Sequence, residues 1–261
     1  MSETGNTSHR RVPAVTRAVA ILRWLGKSSE PVGVNQLARE LGLVPSTCLH
    51  ILRVLIDEGL VAFDSHSKRY SIDVGILPIA RGAIQRNNFA SLIEPRLTEL
   101  SHDVGGTIVA TQLADADHMV VVALSRARQP FRLQVDLGSR FPALISATGR
   151  CHAAYNLGDV SQADLKSRFS SLKWDHPPDY RAWRKEIQKI RVDEFAIDSG
   201  DYISGVTIIA VPFFDRRGFM THSIVAIDIT ERAEATGFVT IVGKMQTIRD
   251  ELSDVLIEGV S

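Results

Sequence analysis

The stretch LARELGLVPSTCLHILRVLIDEGLVAFDSHSKRYSI, residues 37–72, decides how the front of this chain folds. A short run of helical apolar spacing is closed by Gly42. Three residues on, Pro45 suits the first turn of another helix, because its fixed φ and missing N–H cost nothing there. Leu49, Leu52, Leu55 and Ile56 carry that helix to Gly59. The remainder alternates, with β-forming residues on both sides of the polar turn SHSK, and predicts a hairpin with Lys68 and Arg69 near its tip. Toward the N-terminus, Val15, Val19, Ile21, Leu22 and Leu25 recur at helical spacing, with Thr16 as the expected N-cap and an end near Gly26. Helix, helix, helix, hairpin is the order of a winged helix-turn-helix. The first eleven residues are polar and aperiodic, and read as a flexible tail ending in Arg10 and Arg11.

Behind the hairpin, residues 75–86 have helical apolar spacing and read as a connecting helix, followed by a second helix over 89–104 that stops at Gly105-Gly106. TIVATQL and HMVVVAL, separated by the turn-prone ADAD, predict a hairpin. An RLQVDL strand, a Gly-Ser turn and a helix through ATGRCHAAYNL follow. A helical segment near 180–192 leads to FAID and to two strong strands, VTIIAVPFF and THSIVAIDI, around the turn at 215–218. One amphipathic helix over about 233–256 closes the chain. The expected architecture is α+β: a winged helix-turn-helix over 10–73, a linker helix over 74–87, and a domain over 88–261 with a mixed sheet and helices against it.

Composition agrees with two globular domains. The chain has 261 residues, 44% hydrophobic and 23% charged, where one domain typically holds roughly 100–150 residues. The only cysteines, Cys48 and Cys151, are far apart and outside any CxxC or Cys/His cluster, which speaks against a disulfide framework or a zinc site. No apolar stretch approaches a membrane span, and the N-terminus lacks the apolar core of a signal peptide, so a cytoplasmic protein without a membrane partner is expected. Net charge is zero, but residues 1–85 hold ten Lys or Arg against seven Asp or Glu, and the rest holds twenty against twenty-three. A mildly basic front fits a polyanionic partner.

Four blocks, RAVAILRWL, LARELGLVPSTCLHILRVLIDEGLV with RYSI, PALISATGRCHAAY and ISGVTIIAVPFFDRRG, resemble the IclR-type (isocitrate-lyase-regulator) bacterial transcription regulators in order and separation over nearly the whole chain. That resemblance implies a front domain that enters the major groove of operator DNA. It implies a rear, GAF-like domain that holds a small effector and pairs subunits, giving a homodimer or homotetramer on a partly palindromic operator.

A helix entering the major groove from its N-terminal end would present Ser46, Thr47 and His50, whose hydroxyls can reach phosphates or base edges. The alternative is that Ser46 merely caps the helix. IclR-type proteins usually carry Arg after the two hydroxyl positions, where this chain has Leu49 and then His50. Arg53, one turn further, is a candidate phosphate contact or a solvated side chain, and Lys68 and Arg69 of the wing are read as phosphate contacts. Arg10 and Arg11 could reach an adjacent groove or remain a charged tail.

In the rear, no nucleophile beside a base, paired carboxylates, phosphate-binding glycine loop, GxSxG or HExxH appears, and His102, His118, His152, His176 and His222 are scattered, so neither an enzyme nor a cofactor is expected. The resemblance places an effector pocket residue by residue. A turn supplying backbone N–H groups falls on Ala147, Thr148 and Gly149, and the acidic pocket residue, seven before Gly205, on Asp198. A cysteine position three after Gly205 falls on Ile208, and two serine positions fall on Val225 and Ile227. Backbone donors with an aliphatic wall suit an aromatic or otherwise apolar carboxylic acid, and family members that govern aromatic catabolism favour the same class. The alternative is that these three aliphatic residues only pack the sheet core. For the protein as a whole, the competing function is a small-molecule-binding protein or enzyme that carries a winged helix as an interaction module.

Overall fold

The computed structural model describes residues 12–86, 88–127 and 135–258. It divides into two compact units, Met1–Arg86 and Asn87–Ser261.

In the first unit, helix α1 (Pro13–Leu25), strand β1 (Val32–Gly33), helices α2 (Val34–Glu40) and α3 (Pro45–Asp57), and strands β2 (Val61–Asp64) and β3 (Arg69–Ile72) are followed by helix α4 (Ile76–Arg86). Strands pair antiparallel in the order β1-β3-β2. Ile21, Leu25, Leu37, Cys48, Leu52, Leu55, Val61 and Tyr70 close one core between the helices and the wing. Gly42 and Gly59 follow α2 and α3 at φ +61° and +68°, the left-handed backbone that glycine adopts without strain, and the Leu60 N–H reaches back to the Leu55 carbonyl at 2.8 Å. The first helix starts earlier than expected. Val12 is its N-cap and Pro13 its first residue, so Thr16 lies inside the helix and donates its hydroxyl back to the Val12 carbonyl at 3.3 Å.

The second unit contains helix α5 (Asn88–Val104), strands β4 (Thr107–Asp115), β5 (His118–Leu124) and β6 (Arg140–Pro142), and helices α6 (Ser146–Asn156), α7 (Gln162–Ser170) and α8 (Tyr180–Asp193). Strands β7 (Ala196–Ser199), β8 (Val206–Phe214) and β9 (Met220–Ile229) and helices α9 (Thr230–Thr236) and α10 (Phe238–Glu258) complete it. The α+β architecture is as expected, but the sheet is not mixed: in the order β6-β5-β4-β9-β8-β7 every neighbouring pair is antiparallel. The tight turns within β4–β5 and β8–β9 impose this, because a parallel pair needs a long crossover. The proposed RLQVDL strand falls partly outside the described residues, and residues 135–137 are not strand. The closing helix is two helices, broken at Gly237 with φ +88°.

Both faces of this sheet are covered. Helices α5 and α10 pack on one face and α6 on the other, with α8 against α6. Alternation along the central strands follows: Ile209, Val211, Ile224 and Ala226 join one core, while Ile208, Ala210, Val225 and Ile227 join the other.

Candidate nucleic-acid interface and effector cavity

The first turn of α3 is open to solvent. Val44 is its N-cap, in extended conformation and without a side-chain cap, and Pro45 is N1, so Ser46 does not cap the helix. The N–H groups of Ser46 and Thr47 have no intrahelical partner, being in the first turn, whereas the Cys48 N–H already reaches the Val44 carbonyl at 3.0 Å. Cys48, Leu52 and Leu55 turn inward, which leaves Ser46, His50 and Arg53 exposed in one i, i+4, i+7 row and Thr47 half-buried beside it.

The wing tip is pre-set. Residues 65–68 form the turn, Lys68 is left-handed at φ +56°, and the Asp64 carboxylate accepts from the His66 N–H at 2.8 Å and the Ser67 hydroxyl at 2.7 Å. These bonds hold Asp64 below the usual carboxylate range. Lys68 is exposed, while Arg69 uses its Nη1 to donate to the Pro31 carbonyl at 2.9 Å, tying the wing to the loop before β1. Arg10 and Arg11 lie outside the described residues.

In the second unit, a cavity of about 260 Å³ opens between the sheet and the start of α6. Of the residues placed here from sequence, Thr148, Ile208, Val225 and Ile227 line it. Ser146, Tyr202, Ile203 and Phe141 line it as well; the sequence reading missed them because they come from three separate segments. Ser146, the first residue of α6, has φ +59°, a strained conformation for a residue with a Cβ, and strain of this kind collects at ligand sites. Ala147, Thr148 and Gly149 belong to the first helical turn itself. Ala147 and Thr148 have first-turn N–H groups, but the Gly149 N–H is donated to the Ile145 carbonyl at 2.9 Å. Gly149 serves packing instead, since a Cβ there would stand 2.0 Å from the Leu144 carbonyl carbon.

Asp198 is not among the residues lining the cavity. It is 0% exposed and anchors an ion cluster: Oδ2 accepts from Arg150 Nη1 at 2.9 Å, and Oδ1 accepts the N–H groups of Asp201 and Tyr202 at 3.0 and 3.2 Å. Arg150, itself buried, also pairs with Glu186 and Asp201. Burial opposes its charge, but Asp198 and the other two carboxylates outweigh it and raise its pKa. The cluster thereby fixes the segment that places Tyr202 and Ile203 over the cavity.

Among the described residues no group of three or more His, Cys, Asp or Glu could hold a metal ion, and no helix is long and apolar enough to cross a membrane.

The first unit is thus a winged helix with an exposed, hydroxyl-led third helix, the architecture of a DNA-binding regulator, and the second is a separate sheet domain with a cavity. Residues 14–65 match the IclR helix-turn-helix domain and residues 81–254 match the bacterial transcriptional regulator IclR C-terminal domain. The chain belongs to the IclR family of bacterial transcription regulators. It is 30% identical to the HTH-type transcriptional regulator Rv1719 of Mycobacterium tuberculosis over 207 residues, 78% of each chain. It is 22% identical to the transcriptional repressor IclR of Escherichia coli over 82% of this chain and 80% of that one. Its fold is similar to that of an IclR transcriptional regulator from Alicyclobacillus acidocaldarius, with a TM-score of 0.79 at 22% identity over 94% and 98% of the two chains.

Proposed function

We propose that this protein is a repressor of a catabolic operon, released or engaged by an aromatic or similarly apolar carboxylic acid held in the cavity of the second unit. The observation that carries this reading is the make-up of the cavity. Hydroxyls of Ser146 and Thr148 stand at a helix start, where first-turn N–H groups favour an anion, and Ile208, Val225 and Ile227 form an aliphatic wall. A small hydrophilic keto acid such as glyoxylate would gain nothing from that aliphatic wall, and each oxygen set against its methyl groups would cost roughly 1–3 kcal/mol. An aromatic ring gains about 25 cal/mol per Å² of apolar area buried there.

On the DNA side, Ser46, Thr47, His50 and Arg53 of α3 and Lys68 of the wing are assigned to the operator. Arg69 is assigned through the N–H groups its bond to Pro31 leaves over. Subunits act in pairs, because one short recognition helix reads too few base pairs for operator selectivity; sedimentation at the monomer mass of 28.7 kDa with operator binding intact would remove the pairing.

Calorimetric titration decides the ligand class. Aromatic acids should bind and glyoxylate should not; tight glyoxylate binding without any response to aromatic acids would overturn the assignment. Ile208→Asp, which puts a carboxylate into the buried wall, should abolish aromatic-acid binding and leave DNA binding by the first unit intact.

A further inference from the structure

The wing carries an exposed aromatic side chain to which the reading above gives no role. Phe63 is 41% exposed, stands opposite Tyr70 in the β2–β3 register, and packs on its ring with centroids 4.9 Å apart. Tyr70 is buried beneath it; burial raises its pKa, and the positive charge of Arg53 on α3 works against that rise. Lys68 brings its Nζ to 5.9 Å from the Phe63 centroid. The exposed phenyl ring therefore shares the surface of the wing with the lysine at its tip. The Asp64 turn and the Arg69–Pro31 bond hold this surface in place before any partner arrives.

Cations alone account for attraction to phosphate, and for that purpose an apolar ring among them is of no use. An exposed ring held beside a cation does have a use against DNA, whose groove walls combine charged phosphates with apolar sugar edges, and phenylalanine is among the side chains that enter a minor groove. We infer that Phe63 contacts DNA, its ring lying against the deoxyribose edges of the minor groove beside the site read by α3. The contact adds affinity without releasing counterions. This rests on the operator-binding reading above.

The test uses the full chain and a duplex selected by the wild-type protein from a random-sequence pool, with affinity measured over a series of salt concentrations and thermal unfolding recorded for each variant. Phe63→Ala should weaken binding roughly tenfold at every salt concentration and leave the salt slope unchanged, as expected for lost apolar burial. Lys68→Ala should instead lessen the slope by about one. Phe63→Leu, which keeps an apolar side chain, should retain most of the affinity. Should Phe63→Ala fail to fold, Phe63→Gln takes its place, with the same loss expected. A folded Phe63→Ala or Phe63→Gln within twofold of wild type overturns the inference, and so does a slope change matching that of Lys68→Ala, since the ring would then act only by placing the lysine. If the wild-type protein selects no duplex at all, the operator-binding reading itself falls, a result distinct from either.

Discussion

Helices α3 and α6 begin alike and face opposite surroundings. Each has an extended, β-branched N-cap without a side-chain bond, Val44 in one and Ile145 in the other, and each follows it with hydroxyl residues, Ser46 and Thr47 against Ser146 and Thr148. Each therefore offers unpaired N–H groups and the positive end of a helix dipole. In α3 that end is open, with Val44 64% exposed and Ser46 in solvent. In α6 Ser146 is 4% and Thr148 1% exposed, at the wall of a cavity. The same backbone chemistry thus suits two anions. Water and salt screen the open end, so an anion there needs many contacts, whereas an anion at the buried end would be screened less.

The largest test of this contrast removes what seats α6. Arg150→Met would leave Asp198 fully buried with its charge unpaired, a type of change that costs roughly 3–5 kcal/mol. Trp174 and Trp183 report on the second unit and Trp24 on the first, so urea unfolding followed by fluorescence should show the loss confined to the second. A double variant Arg150→Met/Asp198→Leu should recover part of it, because no lone buried charge remains. A loss below about 1 kcal/mol in Arg150→Met would mean that water reaches the cluster and that α6 is seated by packing alone.

An effect that is smaller per residue comes from each of two buried histidines of the second unit. His152, with neither ring nitrogen hydrogen-bonded, and His222, packed 4.4 Å from the Phe89 ring centroid, are both lowered by burial to pKa values of about 4. The unfolded chain, with histidine near 6.5, binds protons that the folded state refuses. Their contribution is therefore fully present above about pH 6.5 and is lost as pH falls toward 4, on the order of 3 kcal/mol for each group. Thermal unfolding of the second unit from pH 7 to 4 measures this. His222→Phe should flatten part of the pH dependence, and an unchanged profile would show that the ring titrates freely in the folded state.

The first unit was largely legible in the sequence because its signals are local. Pro45, Gly42 and Gly59 delimit α3, and the alternation around SHSK sets the wing within a few residues. Strands β8 and β9 were equally plain, since long apolar runs covered on both faces leave no ambiguity. Elements too short to show a period were missed: β1 has two residues, β6 three, and α7 buries only Leu165 and Phe169. The surroundings of Asp198 were unreadable for a different reason. Arg150, which occupies its carboxylate, is 48 positions away, and no local pattern announces that pairing. Tyr202 and Phe141 reach the cavity from loops and an edge strand by tertiary placement alone.

The smallest effect, and the one that addresses the comparison directly, is a matched pair of substitutions at the two helix starts. Ser46→Ala removes one exposed hydroxyl that accepts no helix-capping bond, so it should leave the fold untouched and take from DNA one proposed contact, worth about 0.5–1.5 kcal/mol or roughly a two- to thirteenfold loss of affinity. Thr148→Val removes one hydroxyl from the cavity wall at nearly constant shape, with the same range for the effector. What separates them is the response to salt. The hydroxyl contact at α3 adds to a binding energy dominated by phosphate charge, so the affinity of Ser46→Ala should fall with salt as steeply as that of wild type. The effector affinity, wild type and Thr148→Val alike, should change little between 50 and 200 mM salt, because an enclosed ion contact is poorly screened. Titrating each variant with its own ligand at both salt concentrations gives the answer. An effector affinity that falls with salt as the DNA affinity does would mean that the α6 end is as open to water as the α3 end, and the distinction between them would be lost.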